Sequence, residues 1–184
     1  MGARKMKVLL RSWVCCCALW MAFPAGAVDG ASIEPLGLKK VKHPAPNLWV
    51  SGQPTKVQLA QLEAAGIQHV INLRPDNENS WAEAPLVKAL GMRYHHLPIA
   101  GGAGVSFNNA GSLKTLIQSL NGEPVLIHCA SGNRVGGLIA LQAISEGVAE
   151  QQAIDKGKEW GLTRLEKHVR HVAAESASCE QATC

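Results

Sequence analysis

Cys129, Gly132 and Arg134 are the residues of this 184-residue chain whose types and spacing are best suited to chemistry. Cys129 follows the stretch Pro124-Val125-Leu126-Ile127-His128 directly, and the next residues, Ala130-Ser131-Gly132-Asn133, are small or turn-forming. A strand that ends in such a turn and enters a helix at Arg134 brings backbone N–H groups together at the positive end of that helix, which makes an anion site. The same field favours thiolate over thiol at Cys129. Arg134 adds a planar fork of donors able to hold two oxygens of a tetrahedral oxyanion. Together these residues form a nucleophile inside an anion cradle. A buried structural cysteine at a strand end is the competing reading, since free cysteine packs as a small hydrophobe. Gly132 and Arg134 in the same turn weigh against it.

The elements that must position this loop are legible upstream. Leu48-Trp49-Val50 predicts a short strand, Gly52-Gln53-Pro54 a turn, and Thr55 with Gln58 a capping box that opens a helix ending at Gly66. Ile67 to Leu73 is mostly apolar and rich in β-branched residues, as a buried parallel strand should be. After the polar loop Arg74 to Ser80 the pattern predicts a helix from Pro85 to Leu90, a strand from Met92 to Ile99, a helix from Asn108 to Leu120 and the strand that leads to Cys129. From Val135 to Glu175 the chain reads as helical, with a second capping-box pattern at Thr163 and Glu166. Alternation at this spacing predicts an α/β fold, a mostly parallel central sheet of about four strands flanked by helices. In such sheets the working crevice lies at the carboxyl ends of the strands, where Cys129 and the Arg74–Ser80 loop both fall. Asp76 and Glu78 in that loop are the candidates for a general acid. Pro75-Asp76-Asn77 is equally ordinary turn chemistry. Arg74 either adds positive charge near the anion or pairs with Asp76 or Glu78.

Residues 1–27 have the anatomy of a secretory signal: Arg4, Lys5, Lys7 and Arg11, then an apolar run from Trp13 to Phe23, then Ala25-Gly26-Ala27. The run falls short of the ~20 apolar residues that span a bilayer, so the mature chain is expected to begin at Val28, to have no stable membrane insertion and to be periplasmic or secreted. Residues 28–46 read as a linker or N-terminal arm with Pro35, Pro44 and Pro46, residues 47–175 as the α/β domain, and residues 176–184 as a flexible tail. Four of the 18 Lys and Arg lie in the signal, which has no Asp or Glu, so the mature chain carries 14 basic and 14 acidic residues. That balance argues against a nucleic-acid partner. Of six cysteines, Cys15, Cys16 and Cys17 lie in the signal, leaving Cys129, Cys179 and Cys184. In an oxidising compartment the two tail cysteines are able to pair and leave Cys129 free. No cofactor or metal site is expected: His95 and His96 point to opposite faces of a strand, and the i, i+3 pair His168 and His171 lacks a third ligand.

The segment HCASGNRVG resembles the signature loop of cysteine-dependent protein phosphatases. LWVSGQPTKVQLAQLEAAGIQHVINLRPDNE resembles the bacterial beta-lactamase-hydrolase-like phosphatase domains, a group within the dual-specificity and tyrosine phosphatases. Three blocks occur in order between Asn47 and Gly147: the GQP turn, the INLRPDNE strand and loop, and the cysteine loop. The resemblance implies a cysteine phosphatase-like fold and two-step hydrolysis of a phosphate ester or phosphoprotein. Cys129 would be the nucleophile that forms a phosphocysteine and Arg134 the clamp on the phosphoryl oxygens. Ala130, Ser131, Gly132 and Asn133 would line the cradle, and His128 would order it, unless it is a plain strand-end histidine.

The chain departs from the phosphatase signature in three places. Four residues separate Cys129 from Arg134 where the signature has five, Val135 stands where a Ser or Thr usually follows the arginine, and the loop IAGGAGVS after the third strand has no acid. The shorter spacing is that of rhodanese-like sulfurtransferases, in which the cysteine carries one sulfur from a sulfur donor as a persulfide and needs no general acid. A non-catalytic anion-binding protein is the third possibility.

Overall fold

The structure, a computed structural model, describes residues 33–182, with side chains through residue 178. The expected export signal and the expected pairing of Cys179 with Cys184 therefore lie outside the described residues.

Five strands form one sheet: β1 Lys42–Ala45, β2 Leu48–Ser51, β3 His69–Asn72, β4 Arg93–His96 and β5 Val125–His128. Their order is β1-β2-β5-β3-β4, with β1 antiparallel to β2 and every other pairing parallel. β5 is inserted between two strands that precede it in sequence, so the loop that follows it emerges at the middle of the sheet. Registers are aligned at the carboxyl edge: His128 lies opposite both Ser51 and Asn72, and Asn72 lies opposite His96. The turn at Gly52, the loop at Arg74 and the Cys129 loop thus leave the sheet side by side.

Strand alternation divides the core into two layers. Leu48, Val50, Ile71, Val125 and Ile127 face α3 Phe107–Ser119, α4 Asn133–Ser145, α5 Glu150–Glu159 and α6 Glu166–Ala182, meeting Leu113, Val135, Leu138, Ile154 and Val169. Trp49, Val70 and Leu126 face the other way, onto Leu59 and Leu62 of α1 Lys56–Ala64 and Val87 of α2 Glu83–Ala89. α1 begins at the expected capping box: Gln58 N donates to Thr55 Oγ1 at 3.2 Å and Thr55 N to Gln58 Oε1 at 2.9 Å. α4 lies deepest, because Gly136 and Gly157 permit close approach to α5 and the turn after it. A Cβ on Gly136 would fall 2.1 Å from Leu162 N.

Two stretches differ from expectation. The segment read as an arm packs into the domain. Ile33 and Leu38 are buried, Gln58 Nε2 donates to the carbonyls of Leu36 and Gly37, and Lys42–Ala45 forms the fifth strand. Pro44 is tolerated within β1 because this is an edge strand, where a missing N–H costs no inner ladder bond, and Pro35 and Pro46 lie outside the strand. His43 of this strand stacks on Trp49 with ring centroids 4.5 Å apart. At the other end, backbone read as a flexible tail continues α6 as far as Ala182.

Candidate active site

β5 is buried along its whole length and delivers Cys129, 1 % exposed, to the carboxyl edge of the sheet. The chain then turns sharply. Gly132 takes φ 79°, a left-handed conformation that suits glycine, and Ser131 forms an isolated bridge with Gly52 of the GQP turn. This turn aims Ser131 N at Cys129 Sγ, 3.5 Å away. α4 starts at Asn133, whose buried side chain faces away from the cysteine: its Oδ1 accepts from Thr163 N at 2.8 Å and so ties the cradle to the α5–α6 loop.

Arg134, on the first turn of α4, is held on two sides. Nη1 donates to Glu78 Oε1 at 3.0 Å and to the Ile99 carbonyl at 2.6 Å, and Nη2 donates to Glu78 Oε2 at 2.6 Å. A guanidinium has five N–H donors. These contacts use three and leave Nε and one Nη2 hydrogen, the parallel pair that a bidentate oxyanion requires. Burial works against the guanidinium charge, but Glu78 and the neighbouring Cys129 outweigh it and raise Arg134 above its ordinary value. The acid-free loop IAGGAGVS contributes through Ile99, whose carbonyl orients the clamp.

The Arg74–Ser80 loop comes to the site, and its two carboxylates separate. Glu78 reaches Arg134, and both its oxygens accept from the guanidinium, which leaves neither in place to deliver an acid proton. Asp76 points outward with its side chain 94 % exposed, 3.9 Å from His96 Nε2. Together with Trp81, Glu83, Tyr94 and His96 it lines a separate cleft of about 440 Å³. Arg74 supports the loop. It donates to Gln53 Oε1 at 2.5 Å and to the Glu78 carbonyl, and its Nε lies 3.7 Å from Glu78 Oε2. Of the two roles open to Arg74 in the sequence, the structure shows pairing with Glu78.

His128 lies beneath the cradle, fully buried, with Nε2 2.9 Å from Glu83 Oε1. Glu83, in the first turn of α2, was not singled out from the sequence. Its Oε2 accepts from Gln53 Nε2 at 3.0 Å and Asn72 Nδ2 at 3.2 Å. Burial alone would raise this carboxyl. Its contacts with His128 and Gln53 and the charge of Arg74 more than offset that and leave it below the usual value. Two chains of contacts therefore meet at Arg74: one runs through Glu78 to Arg134, the other through Gln53 and Glu83 to His128.

The remaining histidines are engaged elsewhere. His168 Nε2 donates to the Val105 carbonyl at 3.1 Å and His171 lies 3.2 Å from Glu175. His95 contacts His69, which in turn contacts Glu123, at the far side of β3 and β4 from Glu83 and His128 along the sheet register. Burial, His69 and Arg93 lower His95 below its ordinary value. Among the described residues no group of three or more His, Cys, Asp or Glu converges as a metal site.

Comparison with known proteins agrees with this geometry. The sequence model described as beta-lactamase hydrolase-like protein, phosphatase-like domain, matches residues 40–147. The beta-lactamase hydrolase-like protein of Xylella fastidiosa strain Temecula1 is 28% identical over 113 residues, 59% of this chain and 26% of that protein. Its counterpart in Agrobacterium fabrum is 29% identical over 121 residues, 62% of this chain and 28% of that protein. The chain thus spans about a quarter of the length of these relatives. Among solved structures, a DUF442 phosphatase candidate from Shewanella putrefaciens CN-32 aligns with a TM-score of 0.59 and 26% identity, covering 78% of this chain and 98% of that one. Tk-PTP in its active form aligns with a TM-score of 0.56 and 20% identity, covering 73% and 97% of the two chains, a likeness of fold.

Proposed function

The chain belongs to the family of beta-lactamase hydrolase-like phosphatase domains, and from that premise we propose that it is a cysteine-dependent phosphatase acting on phosphate monoesters through a phosphocysteine at Cys129. The observation that carries this reading is the edge of Arg134 turned to the cysteine: Glu78 and the Ile99 carbonyl hold the other side of the guanidinium, and the donors they leave over interact with Cys129, where a phosphoryl group would sit. In the first step the Cys129 thiolate attacks phosphorus, the P–O ester bond breaks and the leaving oxygen takes a proton from solvent. In the second, water attacks the phosphocysteine and releases inorganic phosphate with the thiolate restored. The α4 N-terminus supports the equatorial oxygens as Arg134 clamps two of them, and Ser131 N–H, aimed at Sγ, supports the thiolate that is restored.

Among the described residues no acid is positioned for the leaving group, so turnover should be slow and should favour esters with good leaving groups, a positioned acid being worth ~10²–10⁴-fold. Purified protein is expected to release phosphate from an aryl phosphate and to be inhibited competitively by vanadate. Sulfur transfer remains the second reading because four residues separate Cys129 from Arg134. The same preparation is therefore offered thiosulfate and cyanide. Cys129-dependent thiocyanate with no phosphate release would replace phosphatase by sulfurtransferase, and silence in both assays would leave anion binding.

The substrate is then a small phosphate ester or a phosphoprotein outside the cytoplasm, since the first 27 residues have the order of an export signal. No helix of the described residues is long and apolar enough to cross a membrane. Intact-mass measurement of periplasmic or secreted protein should give a chain starting at Val28. Full-length chain recovered from membranes would overturn export.

A further inference from the structure

We propose that the cleft lined by Asp76, Trp81 and Tyr94 takes a lysine or arginine side chain of a phosphorylated polypeptide whose phosphate sits in the Cys129 cradle. The inference rests on the phosphatase reading and deepens it by naming the class of substrate. It begins from where the two carboxylates of one short turn go. Glu78 is bound to Arg134 through both oxygens, and Asp76, two residues earlier, lines the cleft with its side chain 94 % exposed. Cα atoms two residues apart are separated by at most about 7.6 Å, so a single turn of chain divides the clamp from the cleft.

The chemistry of the cleft suits a cation on an apolar stem. Its volume of about 440 Å³ falls within the range of small-ligand sites. Trp81 and Tyr94 pack against the core layer under α1 and α2 and give the cleft aromatic walls. Lys56 Nζ lies 5.4 Å from the Trp81 ring centroid, so the indole already meets one cation. His96 Nε2 lies 3.9 Å from Asp76 and donates to the Arg74 carbonyl at 2.7 Å, which leaves the Asp76 carboxylate open to a ligand. Glu83 also lines the cleft, but its oxygens meet His128, Gln53 and Asn72. Burial, together with the charges of Glu83 and Asp76, raises the Tyr94 hydroxyl above its ordinary value against the hydrogen bond from Asn72 that lowers it. The field in the cleft is therefore negative at Tyr94, which disfavours a second phosphate. A neutral polyol would gain nothing from that charge, whereas an ammonium or guanidinium gains from the carboxylate and the aromatic faces together. An extended chain covers a span on the order of 10 Å in about three residues, which places the basic residue about two to four positions from the phosphorylated one.

The test is binding of fluorescent peptides to the full chain. Each carries a non-hydrolysable phosphonate analogue of phosphotyrosine, with arginine, citrulline or alanine about two to four residues to either side. Citrulline has the shape of arginine without its charge. The best-placed arginine peptide should bind about tenfold more tightly than its citrulline twin at low salt, and the difference should shrink as ionic strength rises. Asp76→Asn should reduce the ratio to within about threefold, the share left to the aromatic faces. Asp76→Glu should keep most of the preference, and Asp76→Lys should reverse it. The exposure of Asp76 allows all three variants to fold. Equal affinity for arginine and citrulline, even where both exceed alanine, overturns the inference, and so does an arginine preference that Asp76→Asn leaves undiminished. Binding requires no turnover. An arginine preference that depends on Asp76 in a protein releasing no phosphate would keep the cleft and discard the phosphatase reading, and phosphate release without that preference would do the reverse.

Discussion

Cys129→Ser should reduce aryl phosphate hydrolysis to the uncatalysed background, and Arg134→Ala should lower kcat by about 10²–10³-fold, the usual loss when a preorganised oxyanion donor is removed. The two variants fail for different reasons. Serine preserves the shape of the cradle and removes the nucleophile, so vanadate should still bind. Alanine at 134 removes the two open donors and also strands the Glu78 carboxylate and the Ile99 carbonyl, which Arg134 satisfies in the parent. With only Arg74 Nε left near it, at 3.7 Å, that carboxylate then opposes the incoming phosphate. Arg134→Ala should therefore weaken vanadate inhibition as well as turnover, and adding Glu78→Gln should recover part of the vanadate affinity and little of kcat. Arg134→Lys keeps the charge without the fork and should stay much closer to alanine than to the parent in kcat. Steady-state kinetics with circular dichroism melts check each variant. Retained hydrolysis in Cys129→Ser would move the nucleophile elsewhere.

The fold was legible where one local signal sufficed. The Thr55–Gln58 capping box, the apolar strands at Val50, Ile71 and Ile127, and the strand-turn-helix around Cys129 each declare themselves over a few residues, and each is present. β1 was hidden because its pairing is made by an edge strand containing Pro44, and neither composition nor periodicity marks such a strand. The site was legible in parts for the same reason. Cys129, Arg134 and Glu78 belong to motifs, so their chemistry could be named. That Glu78 seats Arg134 and Asp76 points away depends on the short 3-10 turn Asp76–Glu78, which fixes directions no spacing rule gives. Glu83 carried a signal that is plain afterwards. It lies one helical turn before Val87 on the same face of α2, and Val87 is core, so a carboxylate in that stripe needed a buried partner. The partner is His128, far along the chain, and only the parallel register of β3 and β5 brings it near.

Glu78→Gln should lower kcat/KM by about tenfold on p-nitrophenyl phosphate and by the same factor, within about threefold, on phenyl phosphate. The size follows from replacing a charge-assisted bidentate contact by a neutral amide that offers the guanidinium a single acceptor. Arg134 would keep its bond to the Ile99 carbonyl but would no longer be fixed in the orientation that presents its open edge. The loss should appear in vanadate inhibition too, because a clamp that wanders binds the ground-state mimic less well. A general acid would give a different pattern. Its removal matters little when the leaving group is a stable phenolate and costs ~10²–10⁴-fold when it is a poor one, with inhibitor affinity spared. Asp76→Asn should remain within about twofold of the parent on both esters, because its carboxylate is solvent-exposed and meets no part of the cradle. If instead Glu78→Gln proves selective for phenyl phosphate, Glu78 must leave Arg134 during turnover to protonate the leaving oxygen, and its observed pairing would then be the resting state of an acid.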